Sequence, residues 1–243
     1  MSGLFHEGDV SSGRGSDSNE FVNSLFSKKI NSKFEIFSYR NAAGILSTSF
    51  PEQFKMICDA LESFQITEKM IRIPGGSKGE IAKYVDTLFE AEWRELRISA
   101  DLHVKLLDAN KKSEIVDSYI KEGYLDGHRI DFVRGKVALD LEWNSKDQTY
   151  DRDLFAFSSF YDAGAIDVGV IITRGSSLNT DYFRKLGKVL EKDGVTEGKN
   201  DVYSKFGAST TWLGKLLYRL DAGRNGGCPV LAFGITPECI ISK

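Results

Sequence analysis

The chain of 243 residues is 41% hydrophobic and 28% charged, with a formal net charge of −3. That composition can bury a full core, and its total charge argues mildly against a nucleic-acid binder, although the local field is what decides. No stretch reaches the roughly 18–20 consecutive apolar residues of a membrane span. The opening "MSGLFHEGDVSSGRGSDSNE" has no apolar signal core, and Cys58, Cys228 and Cys239 show no CxxC spacing, so a reducing cytoplasm is expected rather than a disulfide or zinc framework.

Taken in chain order, residues 1–20 are rich in Ser, Gly and Asp and read as a disordered tail, with one domain over 21–243. "KFEIFSYR" (Lys33–Arg40) reads as a strand. "PEQFKMICDALESF" (Pro51–Phe64) starts on Pro and repeats apolar residues at helical spacing. "IPGGSKGE" is turn chemistry before a helix carrying Ile81, Val85 and Leu88. "WRELRISADLHVKLLD" alternates loosely as a strand, and a further strand is expected near Ile130–Val133. "RGK" is a tight turn leading into "VALDLEW". "YDRDLFAFSSFYDAG" (Tyr150–Gly164) is a helix stopped by glycine. "AIDVGVIITR" and "CPVLAFGIT" are apolar runs of the kind buried on both faces of a sheet. "NTDYFRKLGKVLEK" and "TTWLGKLLYRLDAG" read as helices. Asp193–Ser209 between them has no clear period, a length of loop that is usually functional or disordered. The alternation predicts an α/β fold, a mixed central sheet flanked by helices.

"LDLEWNSKD" (Leu139–Asp147) places Asp140 and Glu142, residues that strands disfavour, in a strand. If Arg134–Gly135 forms a two-residue turn, Val133 pairs with Lys136, Phe132 with Val137, Asp131 with Ala138 and Ile130 with Leu139. Ile130, Phe132, Val137, Leu139 and Leu141 then share an apolar face, and Asp131, Ala138, Asp140 and Glu142 the opposite one. Asp140 falls one diagonal step from Asp131, about 7–8 Å between Cα atoms. Three converging carboxylates repel unless a divalent cation joins them, as in a phosphodiesterase site. A solvated acidic face on an edge hairpin is the other reading. A glycosidase carboxylate pair would need an aromatic-lined sugar cleft, which spacing does not show.

"RIDFVRGKVALDLEWNSKDQTYDRDL" followed by "DVGVIITR" resembles type II restriction endonucleases of the BglII and BamHI kind, within the PD-(D/E)xK nuclease superfamily. The resemblance runs from about Phe34 to the C-terminus and includes "IPGGSKGEI" and "GGCPVLAFGI". It implies a restriction-endonuclease-like core and a Mg²⁺-dependent cut in duplex DNA at a short palindromic site, leaving 5′-phosphate ends. Asp131 and Asp140 match the motif acids, and the resemblance adds the Leu141 carbonyl as a metal ligand. Glu142 stands where the superfamily often has Lys, a variant that BamHI-type enzymes share. Glu142 is therefore expected to position or activate water, or to help hold the metal. Lys146 leaning back is a weaker substitute for the missing lysine. A homodimer, a cognate DNA methyltransferase as genetic partner and a prokaryotic cytoplasmic setting are likewise implied.

Candidate DNA contacts are Asn144, Ser145 and Lys146, just past the acidic strand, and the loop bearing Lys199, Asn200, Lys205, Ser209, Thr210 and Thr211. Each also reads as an ordinary turn or surface loop. "GGSKGE" could cradle a phosphate with Lys78 as the cation, but lacks nucleotide P-loop spacing. Glu80 or Glu92 could add an acid to the site. His6, His103 and His128 are too scattered for a metal site, and His128 is expected to be structural. Two alternatives to the restriction enzyme stay open: a structure-specific repair or recombination nuclease, and a non-catalytic sequence-specific DNA-binding module.

Overall fold

The computed structural model describes residues 17–75, 78–89 and 92–242. Helices α1 (Asn19–Ser24) and α2 (Lys28–Lys33) lead into strand β1 (Phe34–Tyr39). Then come α3 (Ala42–Ser49), α4 (Pro51–Ser63), the two-residue β2 (Ile66–Thr67), α5 (Glu68–Arg72) and α6 (Glu80–Phe89). Strands β3 (Arg94–Leu107), β4 (Ile115–Arg134) and β5 (Val137–Glu142) run in succession. They are followed by α7 (Thr149–Asp162), β6 (Val168–Arg174), α8 (Thr180–Lys185), β7 (Lys188–Leu190), β8 (Glu197–Asp201), α9 (Leu213–Asp221), β9 (Val230–Ile235) and β10 (Ile240–Ile241).

Six strands form the central sheet in the order β1-β9-β6-β5-β4-β3. β5, β6 and β9 are mutually parallel, while β1, β4 and β3 pair antiparallel with their neighbours. The parallel strands are apolar on both sides because helices cover both faces. Val137, Leu139, Val170, Ile172 and Phe233 pack toward the N-terminal helices, with Leu46, Ile57, Leu61 and Val85. Ala138, Ile171, Val230 and Ala232 pack toward α7 and α9, with Tyr150, Leu154, Phe157 and Leu216. Each fully buried Val, Leu, Ile or Phe among them contributes about 1.5–3 kcal/mol. Gly169 lets α7 sit close: a Cβ there would lie 2.3 Å from the Phe157 ring.

Several expectations need correction. Residues 1–16 of the expected tail lie outside the described residues, but Asp17–Glu20 belong to the fold: the Asp17 N–H donates to the Ser38 carbonyl at 2.8 Å, and α1 begins at Asn19. The helix expected over "NTDYFRKLGKVLEK" stops at Lys185. Gly187 has φ +72°, and Lys188–Leu190 pairs as a strand with Glu197–Asp201. The segment Asp193–Ser209 is thus largely a β8 hairpin arm followed by a 3-10 turn over Val202–Lys205. The strand near Ile130–Val133 is the inner end of a 20-residue strand.

The hairpin register also differs. Arg134 pairs with Val137, Val133 with Ala138 and Phe132 with Leu139, so the two turn residues are Gly135 and Lys136. The positive φ (+57°) falls on Gly135, and Arg134 stays in the strand, ion-paired to Glu92 and to Glu52 at 3.5 Å. The shift is two residues, which preserves side-chain parity. The two faces of β5 are therefore as expected, while Asp131, just beyond the last pair Phe132↔Leu139, comes within hydrogen-bond reach of Asp140.

Candidate active site

Between the pairs Arg94↔Val133 and Leu96↔Ile130 the β3–β4 register slips by one. Asp131 and Phe132 together oppose Glu95, which is a β-bulge, a device that re-aims a side chain. Its cost to the sequence reading is Ile130. That residue was expected beside Phe132 and Leu139, yet it packs with Val133 and Ala138 on the opposite face. Phe132 remains with Leu139.

The bulge brings the Asp131 N–H to Asp140 Oδ1 at 2.8 Å. Asp140 is buried, and its Oδ2 has no hydrogen-bond partner. Burial holds its carboxyl well above the usual carboxylate range, and the Asp153 and Asp131 carboxylates add to the effect. Asp131 opens to solvent at the rim. Its carboxyl is also raised, by desolvation in the cleft and then by Glu142 and Glu95.

Glu142 is buried two residues along β5. Thr149 Oγ1 donates to its Oε2 at 3.2 Å, and the Arg152 guanidinium stands 3.6 Å from Oε1. Its backbone is also held, because Thr173 Oγ1 donates to the Glu142 carbonyl at 2.6 Å and itself lies 2.6 Å from the Tyr150 hydroxyl. Arg152 donates twice to Asp153 Oδ1, at 3.0 and 2.9 Å. Asp153 is buried with Oδ2 unpartnered. Desolvation, then the Glu142 carboxylate, push its carboxyl up to about 8.

Sequence reasoning missed Asp153, Arg152 and Glu95. Asp153 was signalled: Tyr150, Asp153, Leu154 and Phe157 occupy the buried stripe of α7, so an acid stands where a hydrophobe belongs. Glu95 had no such signal, since its place across from Asp131 depends on the bulge. Of the two proposed extra acids, Glu92 is taken by Arg134, while Glu80 lines the cleft and pairs with Lys83 at 2.7 Å.

Asp131, Glu142 and Glu95 line a cleft of about 640 Å³ together with Lys78, Trp93, Asn144 and Lys205 among others, with Asp140 buried behind it. Lys78 is ion-paired to Asp86 and lies within the field of Asp131 and Glu95. Gly76 and Ser77 of the expected phosphate cradle lie outside the described residues. Lys205 donates to the Ile71 and Ile73 carbonyls at 2.8 and 2.5 Å, and burial pushes its ammonium down to about 8. It is a wall residue rather than a free loop cation. Trp93 Nε1 and Asn144 Oδ1 are buried without partners beside the cleft.

The two segments chosen as DNA contacts meet. Lys146 and Thr210 form an isolated antiparallel bridge, Thr211 N–H donates to the Ser145 carbonyl at 2.9 Å, and Asp147 N–H to that of Ser209 at 2.9 Å. Lys146 is exposed at the lip, with Asn144 and Ser145 half-buried behind it. Thr211 corrects the expectation: its side chain is fully buried and offers no atom to DNA. The Thr210 hydroxyl is engaged too, accepting from Arg174 at 3.0 Å and donating to the Gly207 carbonyl at 2.8 Å. Arg174 is the buried post of this lip. It also donates to Leu178 and Thr211 carbonyls and lies 5.4 and 5.3 Å from the Phe183 and Phe206 ring centres. His128 stacks edge-on to Phe155 at 4.8 Å, a structural role.

Among the described residues, no group of three or more Asp, Glu, His or Cys side chains is placed to hold a metal ion. The two carboxylates Asp131 and Asp140 suit Mg²⁺, which is held by one or two carboxylates and keeps its remaining positions for water and phosphate. The buried, unpartnered Asp140 Oδ2 and the Asp140 carboxyl raised by burial, Asp153 and Asp131 are the features such a cation would relieve. Among the described residues no helix is long and apolar enough to cross a membrane.

A family profile described as "Restriction endonuclease BglII/BglIII" matches residues 34–235. No curated protein matches the chain.

Proposed function

The chain belongs to the restriction endonuclease BglII/BglIII family, and so is a type II deoxyribonuclease acting on double-stranded DNA; from that premise we propose a Mg²⁺-dependent enzyme that cuts a short palindromic site and leaves 5′-phosphate ends. The observation that carries this reading is Asp140, a buried strand carboxylate with one oxygen on the Asp131 N–H and the other unpartnered.

Asp131 and Asp140, with the Leu141 carbonyl, would hold the cation. When bound, it supplies charge neutralisation at the phosphate and a lowered pKa for water. Glu142 orients the attacking water and accepts its proton. Thr149 and Arg152 fix that carboxylate, and Asp153 anchors Arg152. Water attacks phosphorus in line, the P–O3′ bond breaks, and the 3′ oxygen leaves to take a proton from solvent. The hydroxyl stays on phosphorus as the 5′-phosphate. Lys78 offers charge to a backbone phosphate. Asn144, Ser145 and Lys146 at the lip suit base edges, Lys toward guanine and Asn toward adenine. A palindromic site calls for two copies related by a two-fold axis. A companion DNA methyltransferase would shield the host's own sites in a prokaryotic cytoplasm.

Phage and plasmid DNA incubated with pure protein and Mg²⁺ test the reading. Discrete fragments that vanish with EDTA and with Asp140→Ala are expected, and their sequenced ends give the site. Intact DNA across many substrates and divalent metals overturns it. Cutting confined to branched DNA would mark a repair nuclease, and a salt-sensitive gel shift without cutting would mark a binding module.

A further inference from the structure

The lip of the cleft is made of two segments that arrive from different directions, 143–147 at the end of β5 and 207–211 ahead of α9. Their backbones join through the Thr211 N–H on the Ser145 carbonyl and the Asp147 N–H on the Ser209 carbonyl, both at 2.9 Å, with Lys146 and Thr210 opposed between them. A backbone hydrogen bond that exchanges with water contributes little net stability, so two of them hold two loops in register only weakly.

Lys215, in the first turn of α9, spans both segments. Its ammonium donates to Asp147 Oδ2 at 2.9 Å and to the Ala208 carbonyl. The Lys215 and Asp147 side chains are only 21% and 27% exposed, so water screens this pair less than a free surface pair. The helix that carries the lysine is itself fixed. Leu213 and Leu216 are fully buried, and Arg219, one turn on, donates through two nitrogens to the Asp151 carboxylate of α7 at 3.0 Å each. A single side chain on a rigid mount therefore ties the two halves of the lip.

The groups so held are those placed to read DNA. Asn144 keeps a buried Oδ1 without a partner, and Lys146 is exposed. Reading a base edge requires such groups to stay within about 0.5 Å of their bonding positions. The acids do not depend on the clamp, because Asp140 and Glu142 sit inside β5, paired with Ile171 and Thr173 of β6.

We propose that Lys215 and Asp147 are a specificity-determining positioning pair. They fix the register of the two lip segments and so set how strictly the enzyme separates its own site from one that differs by a base pair. The inference rests on the reading of the chain as a site-specific nuclease, and it gives residues outside the DNA-contact set the task of holding that set.

Lys215→Met and Asp147→Ala test it, with Lys215→Arg as the variant that keeps a charged donor. Each is assayed on DNA carrying the site found by fragment sequencing and on the same DNA with one base pair changed. The readout is the ratio of kcat/KM between the two. A merely unstable variant loses active enzyme from both assays alike and leaves that ratio where it was. Each single variant should lower the ratio about tenfold, the worth of one hydrogen bond to a charged group, mainly through a higher KM on the true site. The double variant should lower it no further than the worse single one, since the same pair is broken in all three. Lys215→Arg should keep most of it. A ratio unchanged in both single variants, while the wild type cuts at discrete sites, overturns the proposal and leaves the nuclease reading intact. Affinity that falls equally at both sites, with a smaller salt dependence, also overturns it and makes Lys215 a phosphate contact. Hydrogen exchange on the free protein reads the clamp without DNA. The Asp147 and Thr211 amides should lose about tenfold protection in Lys215→Met while those of β5 keep theirs. Unchanged protection sinks the clamp whatever the enzyme does. Protection lost in a chain that never cuts DNA sinks the nuclease reading and the specificity role with it, leaving a structural tie alone.

Discussion

At its inner end, strand β4 is constrained on every side. Asp131 is locked to Asp140 through the bulge, Val133 and Ile130 are buried against α7, and Arg134 is tied to Glu52 and Glu92. At its outer end the same strand has only β3 for company, and Tyr119, Ile120 and Tyr124 are at least half exposed. Cross-strand pairs exist in both regions, so pairing alone does not separate them. What differs is desolvation. Asp140 is raised because burial excludes water and the Asp153 and Asp131 carboxylates crowd it, which is the state a cation and a phosphate would exploit. The outer charges keep their water.

Substitutions should separate the two regions. The largest effect is expected at Asp140→Asn, which keeps the strand but removes the charge. Cleavage should fall roughly 10³-fold, the loss of several kcal/mol of transition-state stabilisation, with the far-UV circular dichroism unchanged. Arg174→Ala should lower stability by about 3 kcal/mol in urea unfolding, because buried carbonyls of Leu178 and Thr211 lose their donor. Asp153→Asn, which acts through Arg152 and Glu142, should lower turnover by about 10–100-fold with KM little changed, checked by steady-state cleavage. If it has no effect, the buried acid on α7 is structural only.

Lys205 gives a smaller, pH-dependent effect. Its folded pKa of about 8 lies below the ordinary lysine value of 10.5. The folded protein is therefore penalised for its charge below pH 8, and stability rises as pH climbs from 8 toward 10.5, where only the unfolded chain holds the proton. Lys205→Met should flatten that rise in urea titrations at pH 7.5 and 9.5. The smallest effect is expected from trimming the outer ends of β3 and β4. Replacing residues 100–125 by an Asn–Gly turn should change the stability of the rest by no more than about 0.5 kcal/mol in urea unfolding. A large loss of stability would mean that the two regions fold as one.

Much was legible from local pattern. The strand at Phe34–Tyr39, the helix from Pro51, the helix over α7 and the two apolar strands β6 and β9 all follow from period and end signals. So did the division of β5 into a packing face and an acidic face, because alternation survives a register error of two. Where local signals competed, the reading erred. Gly187 ended a helix that the apolar spacing continued, and Arg134 kept its strand pairing when the turn could have started one residue earlier.

The residues themselves determined that Asp140 and Glu142 share one face of β5, since side chains in an unbroken strand alternate. Tertiary structure alone decided what stands around those acids. The bulge opposite Glu95 turned Ile130 to the other core and brought Asp131 onto Asp140. α7 delivered Arg152 and Asp153 to Glu142, and the Lys146–Thr210 bridge buried Thr211. These depend on register and on contacts between segments far apart in the chain, which no local period encodes.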